Sequence, residues 1–278
     1  MIQGGILLQF STDIAEILEN HQITAYGSVD FAELFPLLEC RAKGKLPANA
    51  QSVLVCLFPY YTQEQEKRNI SRYAVVEDYH VVVTNCLTEV CEELSERFAP
   101  HIFVPFADNS PIREVDAAIK AGLGMRGKNQ LLIHPVYGSY VFIGEIVTDM
   151  VIASETHPPT ECMGCERCVS ACPGGAIGEN GIDREKCLSH ITQKKGALTQ
   201  QEIRMIKSGN LIWGCDICQE VCPHNRNVQP TEVPGFRDNQ IAEVVYSQIK
   251  ELVKTRAFGF RGSKVVERNY EILYGKQD

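Results

Sequence analysis

The feature that most constrains this chain is a run of closely spaced cysteines in its second half. Cys162, Cys165, Cys168 and Cys172 follow one another with two, two and three residues between them, and Pro173 comes directly after. In bacterial iron–sulfur proteins this spacing supplies three thiolates to one [4Fe–4S] cluster and the fourth thiolate to a second cluster. The run therefore predicts two neighbouring clusters.

A second group of cysteines completes the count of ligands. Cys215, Cys218 and Cys222 are followed by Pro223, and Cys187 is the candidate for a displaced first member of this group. Eight thiolates are enough for two clusters with four ligands each. If the fourth cysteine of each group crosses over, one cluster takes Cys162, Cys165, Cys168 and Cys222, and the other takes Cys187, Cys215, Cys218 and Cys172.

Structural zinc is the alternative for these cysteines, because CxxC pairs also bind tetrahedral zinc. A zinc ribbon needs two separated pairs, whereas a four-cysteine run that ends in proline is typical of a cluster. The four remaining cysteines, Cys40, Cys56, Cys86 and Cys91, have no ligand-like spacing. We expect them to be small buried hydrophobic residues.

Composition narrows the class of protein. The chain has 278 residues, 44% of them hydrophobic, which is enough for one large domain and a smaller one. It has no apolar run of about 20 residues and no signal peptide, so we expect a cytoplasmic protein with reduced cysteines and no membrane contact. The net charge of −8 argues against a generally basic nucleic-acid-binding protein, although local basic patches remain possible.

The first 155 residues predict a mixed α and β domain. Residues 52–58 and 101–106 are short apolar runs that favour buried strands. Residues 131–133 and 140–147 are two further strand candidates. Between the first two runs, residues 78–98 carry apolar side chains at helical spacing and predict a long amphipathic helix.

Asp108 is predicted to lie in a turn between a strand and a helix. Ser110 and Pro111 offer an N-cap and a proline in the first helical turn, and Gly122 is placed to end the helix. On these residues alone, the favoured role of Asp108 is to cap that helix.

A glycine-rich segment, residues 122–129, matches GxGxxG and nearly matches the phosphate-binding pattern GxxxxGK[ST]. It follows a predicted helix rather than a strand, and Asn129 replaces the hydroxyl residue that would bind Mg²⁺. A turn that lets the backbone approach a bulky cofactor is therefore favoured over a nucleotide-binding loop.

Several motifs, in a constant order between about Arg41 and Arg268, resemble those of the epoxyqueuosine reductases, the cobalamin-dependent iron–sulfur enzymes of queuosine synthesis. The motifs are SRYA at 71–74 with DYH at 78–80, ADNSP at 107–111, AGLGMRGKN at 121–129, GSYVFIGEIVTD at 138–149 and GCDICQEVCPHN at 214–225. The pairing of domains is also similar to that of reductive dehalogenases. The resemblance implies an α/β (α+β) fold in three parts: an N-terminal cobalamin-binding, nitroreductase-like domain (1–155), a ferredoxin-like module with two [4Fe–4S] clusters (156–228) and a C-terminal helical tail (229–278).

The resemblance also implies an activity, which is the two-electron, two-proton reduction of the epoxide of epoxyqueuosine in tRNA to give queuosine. The clusters would pass electrons singly to cobalamin, and an external donor such as ferredoxin or flavodoxin would supply them. Asp108 matches the proton donor of the family, since an epoxide oxygen is a poor leaving group until it is protonated. The resemblance assigns corrin contacts to Arg41, Ser71, Leu132, Ile143, Ser189 and Asp216.

Two other functions stay open. Members of the family often continue into a helical-repeat domain that helps to bind tRNA, and the sequence given stops at Asp278. A short form of this kind could be a cobalamin-dependent reductase of another small epoxide or halide. The cysteine motifs by themselves also permit a non-catalytic electron carrier of the ferredoxin type.

Overall fold

The computed structural model describes residues 3–63, 65–154 and 157–276, with side chains from residue 12 onwards. It divides into two compact units, each built from segments that are distant in sequence. Unit 1 contains Met1–Phe58, His80–Arg126 and Val141–Thr160, and unit 2 contains Pro59–Tyr79, Gly127–Tyr140 and Glu161–Asp278. The predicted domain boundary between residues 155 and 156 lies outside the described residues, and the three-part division stays a prediction.

The described chain contains both helices and strands, which confirms the predicted mixed α/β class. The α-helices are α1 (Gln3–Asn20), α2 (Arg72–Val75), α3 (Tyr79–Arg97), α4 (Glu114–Lys120), α5 (Arg167–Ala171), α6 (Leu188–Gln193), α7 (Gln200–Gly209), α8 (Ile217–Glu220), α9 (Pro234–Arg237), α10 (Ile249–Leu252) and α11 (Ser263–Tyr274). The strands are β1 (Tyr26–Asp30), β2 (Ser52–Pro59), β3 (Phe103–Ala107), β4 (Met125–Arg126), β5 (Leu132–Ile133), β6 (Val141–Thr148), β7 (Ile177–Gly178) and β8 (Gly181–Ile182). Short 3-10 helices cover Phe31–Leu34, Arg41–Lys45, Arg184–Lys186, Pro223–Asn225, Tyr246–Gln248 and Ala257–Arg261. None of the described helices is long and apolar enough to cross a membrane.

Unit 1 is organised by a four-stranded sheet with the strand order β1-β2-β6-β3. Every residue of β2 is buried, as expected for a central strand made of β-branched and apolar residues. Strand β3 pairs antiparallel with β6, which places Phe106 opposite Glu145. The end of β3 is therefore the position from which the chain enters the turn that carries Asp108.

Helix α3 packs against the sheet through its predicted apolar face. Val83, Leu87, Val90 and Leu94 are fully buried. The helix comes so close to β6 at Gly144 that a Cβ there would lie 2.7 Å from the Leu87 side chain. A side chain at position 144 would force the helix and the sheet apart, so glycine is needed for this contact.

The helix predicted to begin at Ser110 begins later. Helix α4 starts at Glu114 with Arg113 in the N-cap position, so the predicted N-cap at Ser110 is wrong. The Ser110 hydroxyl instead donates a hydrogen bond to the Glu145 carboxylate and accepts the N–H of Ile112. A local hydroxyl–backbone bond of this kind forms a turn, which competes with the start of a helix.

Unit 2 has an apolar core centred on Trp213, the single tryptophan of the chain. Its indole N–H donates to the Tyr73 hydroxyl at 2.7 Å, so the polar atom of this buried ring is satisfied. The C-terminal segment is part of this core, because Phe258 and Val266 are fully buried within it. Asn269 of α11 also donates to the carbonyl of Ile212 at 2.8 Å, which ties the tail to the segment that precedes Cys215.

Candidate cluster and proton-donor sites

Four cysteines from the two motifs line one cavity of unit 2. The cavity encloses about 340 Å³, part of it open to solvent. Its wall contains Cys162, Cys165, Cys168, Cys222, Gly127, Lys128, Asn129, Ile133, Met163, Glu166, Arg167 and His224. Cys222 thus lies with the first three cysteines of the earlier motif, as crossing predicts for one cluster, while the ligand assignment itself stays a prediction.

The backbone around these cysteines is tightly curved. Gly164 and Glu166 both have positive φ, 66° and 57°, so the chain turns sharply between Cys162 and Cys168. Helix α5 begins at Arg167 and carries Cys168 in its first turn. Curvature of this kind lets three thiols that are close in sequence point towards a common centre.

The other four cysteines of the two motifs, Cys172, Cys187, Cys215 and Cys218, form a second group. The pKa of both Cys215 and Cys218 is raised to about 12, mainly by burial and in part by the charges of Cys187 and Cys172. In the first group, burial likewise raises the pKa of Cys168 and Cys222, with a further contribution from Cys162 to each. Thiols that are buried beside other thiols stay protonated until a cation replaces their protons, as iron does.

Hydrogen bonds to sulfur show that the cysteine groups suit cluster ligands. The backbone N–H of Lys128 donates to Cys162 Sγ at 3.3 Å, and that of Ala176 donates to Cys172 Sγ at 3.3 Å. The side chain of Asn129 lowers the pKa of the Cys218 thiol, against the larger effect of burial. Such donors stabilise thiolates that carry negative charge, so the residues present fit two iron–sulfur clusters. Among the described residues, no three His, Cys, Asp or Glu side chains converge as ligands of one metal ion.

Asp108 lies in unit 1, directly after β3, in the left-handed backbone conformation with φ 63°. Its carboxylate is 56% exposed, and its Oδ2 atom is 3.3 Å from Nε2 of His80 near the start of α3. Because α4 begins six residues further on, Asp108 does not cap that helix, and the capping role favoured by its residues alone is wrong. An exposed carboxyl paired with an imidazole can exchange a proton with a bound substrate.

Two further carboxyl groups, Glu114 beside Asp108 and Glu145 beside Glu114, lie within unit 1. Burial raises the pKa of Glu114 to about 9, and the charges of Glu145 and Asp108 add to this rise. Burial also raises the pKa of Glu145 to about 7, against the hydrogen bond from Ser110. Glu145 is fully buried, and its Oε1 atom has no hydrogen-bond partner among the described residues.

Ser71 and Asp216, two of the predicted corrin contacts, come together in unit 2. Asp216 is 1% exposed, and its Oδ2 accepts from Arg68 at 2.5 Å and from the N–H of Arg72 at 2.9 Å. Within the described part of the chain, the Ser71 hydroxyl and the other Asp216 oxygen are buried and lack hydrogen-bond partners. A Cβ on Gly214 would lie 2.0 Å from the Ser71 hydroxyl. Two unsatisfied buried oxygens fit a polar ligand such as a corrin amide, because they cost free energy when left unpaired.

The other predicted corrin contacts are more scattered. Arg41 is exposed at the start of a 3-10 helix in unit 1, and Ile143 is half-buried in β6 of the same unit. In unit 2, Leu132 is buried in β5, and Ser189 is half-buried in α6, where its carbonyl accepts from the Thr192 hydroxyl. Their role as corrin contacts stays a prediction.

Two family models match separate parts of the chain. Residues 161–225 match "4Fe-4S double cluster binding domain", which confirms the predicted two-cluster module. Residues 43–109 match "Epoxyqueuosine reductase QueG, DUF1730". The epoxyqueuosine reductase of Cyclobacterium marinum is 37% identical over 217 residues, covering 76% of this chain and 69% of that protein. The chain belongs to the epoxyqueuosine reductase family.

Other relatives are longer than this chain. The epoxyqueuosine reductase of Aliivibrio fischeri is 40% identical over 168 residues, which cover 60% of this chain and 45% of that protein. The chain therefore matches between 45% and 69% of the length of these two epoxyqueuosine reductases.

This chain shares its fold with solved structures of epoxyqueuosine reductases. The enzyme of Streptococcus thermophilus superimposes with a TM-score of 0.80 at 24% identity, over 94% of this chain and 80% of that one. An epoxyqueuosine reductase bound to an epoxyqueuosine-modified tRNA stem loop gives 0.81 at 23% identity, over 96% and 81%. A reductive dehalogenase described as B12-dependent gives 0.51 at 15% identity, over 95% and 36%.

Sequence reasoning missed several residues of these sites. In the glycine-rich segment, the backbone N–H of Lys128 donates to Cys162 Sγ, a contact that the sequence did not indicate. Glu145 gave no signal apart from belonging to the family motif at 138–149, and Glu114 gave none. Their partnership with Asp108 and Ser110 depends on the antiparallel pairing of β3 with β6, which the sequence does not display.

Proposed function

We propose that this chain reduces the epoxide of epoxyqueuosine in tRNA to the alkene of queuosine. The overall change consumes two electrons and two protons and releases the epoxide oxygen as water. Family membership supports the reaction class, and the relative solved with an epoxyqueuosine-modified stem loop supports the substrate. The chain spans 45% and 69% of the length of two of these relatives.

Two cofactors are proposed for this reaction. The clusters would be held by the eight cysteines in the two groups described above, and Ser71 and Asp216 would contact cobalamin. When bound, cobalamin would supply a strongly reducing cobalt centre that receives electrons from the clusters one at a time. A likeness in fold to a B12-dependent dehalogenase supports this cofactor.

Asp108 is proposed to protonate the epoxide oxygen as its carbon–oxygen bond breaks. The observation that carries this role is the position of Asp108 in the turn after β3, exposed and 3.3 Å from His80. Protonation converts a poor alkoxide leaving group into a hydroxyl, which lowers the barrier. His80 lies where it can hold the carboxyl in position and return a proton to it between turnovers.

The test is turnover of protein reconstituted anaerobically with iron, sulfide and cobalamin, using a tRNA stem loop that contains epoxyqueuosine. Asp108→Asn keeps the size of the side chain but removes the acid, so we expect turnover to fall by roughly 10²–10⁴-fold. Asp149→Asn is the matched control, because Asp149 forms a similar pair with His101 in the same unit, with 3.2 Å between Oδ1 and Nδ1. Full turnover by the Asp108 variant would refute the proposed acid.

Two alternatives have their own outcomes in this assay. Reduction of a small epoxide or an aryl halide, with no reaction of the tRNA stem loop, would favour a cobalamin-dependent reductase of another substrate. Failure to bind cobalamin while both clusters form would favour a ferredoxin-type electron carrier. Zinc in place of iron in the purified protein would refute the cluster ligands.

A further inference from the structure

One cavity lies entirely within unit 1 and takes no part in the chemistry described above. It offers about 360 Å³ to a ligand, which is within the range of small-molecule sites. Residues 33–36, at the end of the first 3-10 helix, form one side of it, and helix α4 forms another. The side chains on these walls decide which class of ligand the cavity suits.

An exposed aromatic ring forms part of the cavity wall. Phe35 is 61% exposed, although phenylalanine is among the residues most often buried. Its ring is nearly perpendicular to the buried ring of Phe31, with 5.6 Å between the centroids. Leu34, Pro36 and Ile119 continue the apolar lining. A ring that is held by a buried neighbour and exposed to the cavity is suited to stacking against a flat ligand.

The charged part of the lining has an excess of positive charge. Lys120 Nζ lies 3.2 Å from Glu33 Oε2, and Arg126 is paired with Asp116. These two pairs neutralise the acidic side chains that line the cavity. Arg113, the third base of the lining, is exposed and has no carboxylate partner among the described residues around the cavity. Its guanidinium group can therefore bind an anion, and its planar fork of N–H donors suits a phosphate.

The cavity adjoins the segment that carries Asp108. The Leu38 N–H, two residues beyond the cavity wall, donates to the Pro111 carbonyl at 2.7 Å, which ties this loop to the chain that follows Asp108. Arg113 comes five residues after Asp108, so their Cα atoms are at most about 18 Å apart. A substrate that reaches Asp108 and extends over several nucleotides can therefore reach the cavity as well.

We propose that this cavity binds one nucleotide of the RNA loop other than the nucleotide that is reduced, with its base stacked on Phe35 and its phosphate bonded by Arg113. The proposal rests on the tRNA substrate of the proposed function and adds a second point of recognition to it. Proteins recognise single-stranded RNA loops by stacking a splayed base on an aromatic ring and by binding the phosphate with a base such as arginine. The cavity combines both features in one unit.

The experiment measures equilibrium binding of the full chain to a stem loop that contains epoxyqueuosine, by fluorescence anisotropy over a range of salt concentrations. Arg113→Gln removes one contact with a phosphate, so the slope of log affinity against log salt should become shallower by about 0.7. Phe35→Ala removes the stacking surface, so binding should weaken by at least about fivefold with the slope unchanged. The two variants therefore separate the phosphate contact from the base contact.

Arg97→Gln and Ile102→Ala are the matched controls. Arg97 and Ile102 are an exposed base and an exposed apolar residue of unit 1 that do not line the cavity, so both variants should keep the native affinity and slope. An unaltered slope for Arg113→Gln or an unaltered affinity for Phe35→Ala would overturn the proposal, and so would equal losses in the controls, while the tRNA substrate would stand. An unsubstituted chain that binds no stem loop would refute the tRNA substrate itself, and this proposal with it.

Discussion

Replacing Glu145 by glutamine should remove much of the pH dependence of the stability of unit 1 in the acid to neutral range. Glu145 is fully buried in β6, and burial raises its pKa from 4.5 to about 7. Its neighbours are the Ser110 hydroxyl, which bonds one oxygen, and the Glu114 carboxyl on α4, whose own pKa is raised in part by Glu145. The folded state therefore holds a proton on Glu145 at pH values where the unfolded chain has released it.

The sign and the size follow from linkage between proton binding and folding. A carboxyl whose pKa is raised on folding contributes most stability below pH 4.5, and that contribution is lost as the pH rises to about 7. At 1.36 kcal/mol for each pKa unit, the loss over this range is about 3 kcal/mol. Glutamine cannot ionise, so the difference in stability between the native protein and Glu145→Gln should change by about 3 kcal/mol across this range.

The assay is hydrogen exchange of peptides that cover β6, measured from pH 5 to pH 8 and corrected for intrinsic exchange rates, because it reports opening of unit 1 separately from the clusters. Glutamine presents an N–H₂ group where Glu145 has its unpartnered oxygen, which gives a constant cost that does not vary with pH. The slope is therefore the diagnostic quantity. Glu96→Gln, an exposed change on α3, is the control and should keep the native slope. Parallel curves for the native protein and Glu145→Gln would refute the reasoning.

Two predictions concern unit 2. Cys222→Ser should lose the cluster of Cys162, Cys165 and Cys168 and reduce bound iron from about eight to about four atoms per chain, while the other cluster keeps its resonance signal. If Cys222→Ser and Cys215→Ser lost the signal of the same cluster, the crossing would be contradicted. Asp216→Asn should destabilise the chain without cobalamin by about 2 kcal/mol in urea unfolding, because Arg68 loses a buried, charged hydrogen-bond partner while it keeps Glu220. A change in cobalamin affinity with unaltered stability would instead assign Asp216 to the corrin alone.

Elements set by local pattern were predictable from the sequence. The strand predicted at residues 52–58 is β2 (Ser52–Pro59), and the helix predicted at 78–98 is α3 (Tyr79–Arg97). In both, apolar side chains repeat with the period of the element and are buried in the structure, so packing and pattern agree. Local pattern failed at Ser110, whose hydroxyl is bonded by a carboxylate 35 residues further along the chain.

In the candidate sites, too, some features were predictable from the sequence and others were not. Spacing within the cysteine motifs predicted which thiols group together, because ligand number and loop length restrict how a chain can surround a cluster. Spacing carried no information about donors to sulfur. The bond from the Lys128 N–H to Cys162 Sγ depends on how a turn that is distant in sequence packs in unit 2. Gly127 in that turn has several explanations until the buried Asn129 amide beside it is seen.

The crossing of ligands has a consequence for how unit 2 is held together. Each cysteine group draws thiols from both motifs, with Cys222 joining the first group and Cys172 the second. Each cluster would therefore close a long loop of chain, and the segment between the motifs, which contains α6 and α7, is fixed at both ends. Closing long loops removes conformational entropy from the unfolded chain, so metal binding and folding of this module should be strongly coupled. The apolar core around Trp213 and the hydrogen bond from Asn269 of α11 to the Ile212 carbonyl tie the C-terminal segment to this module through contacts that contain no iron.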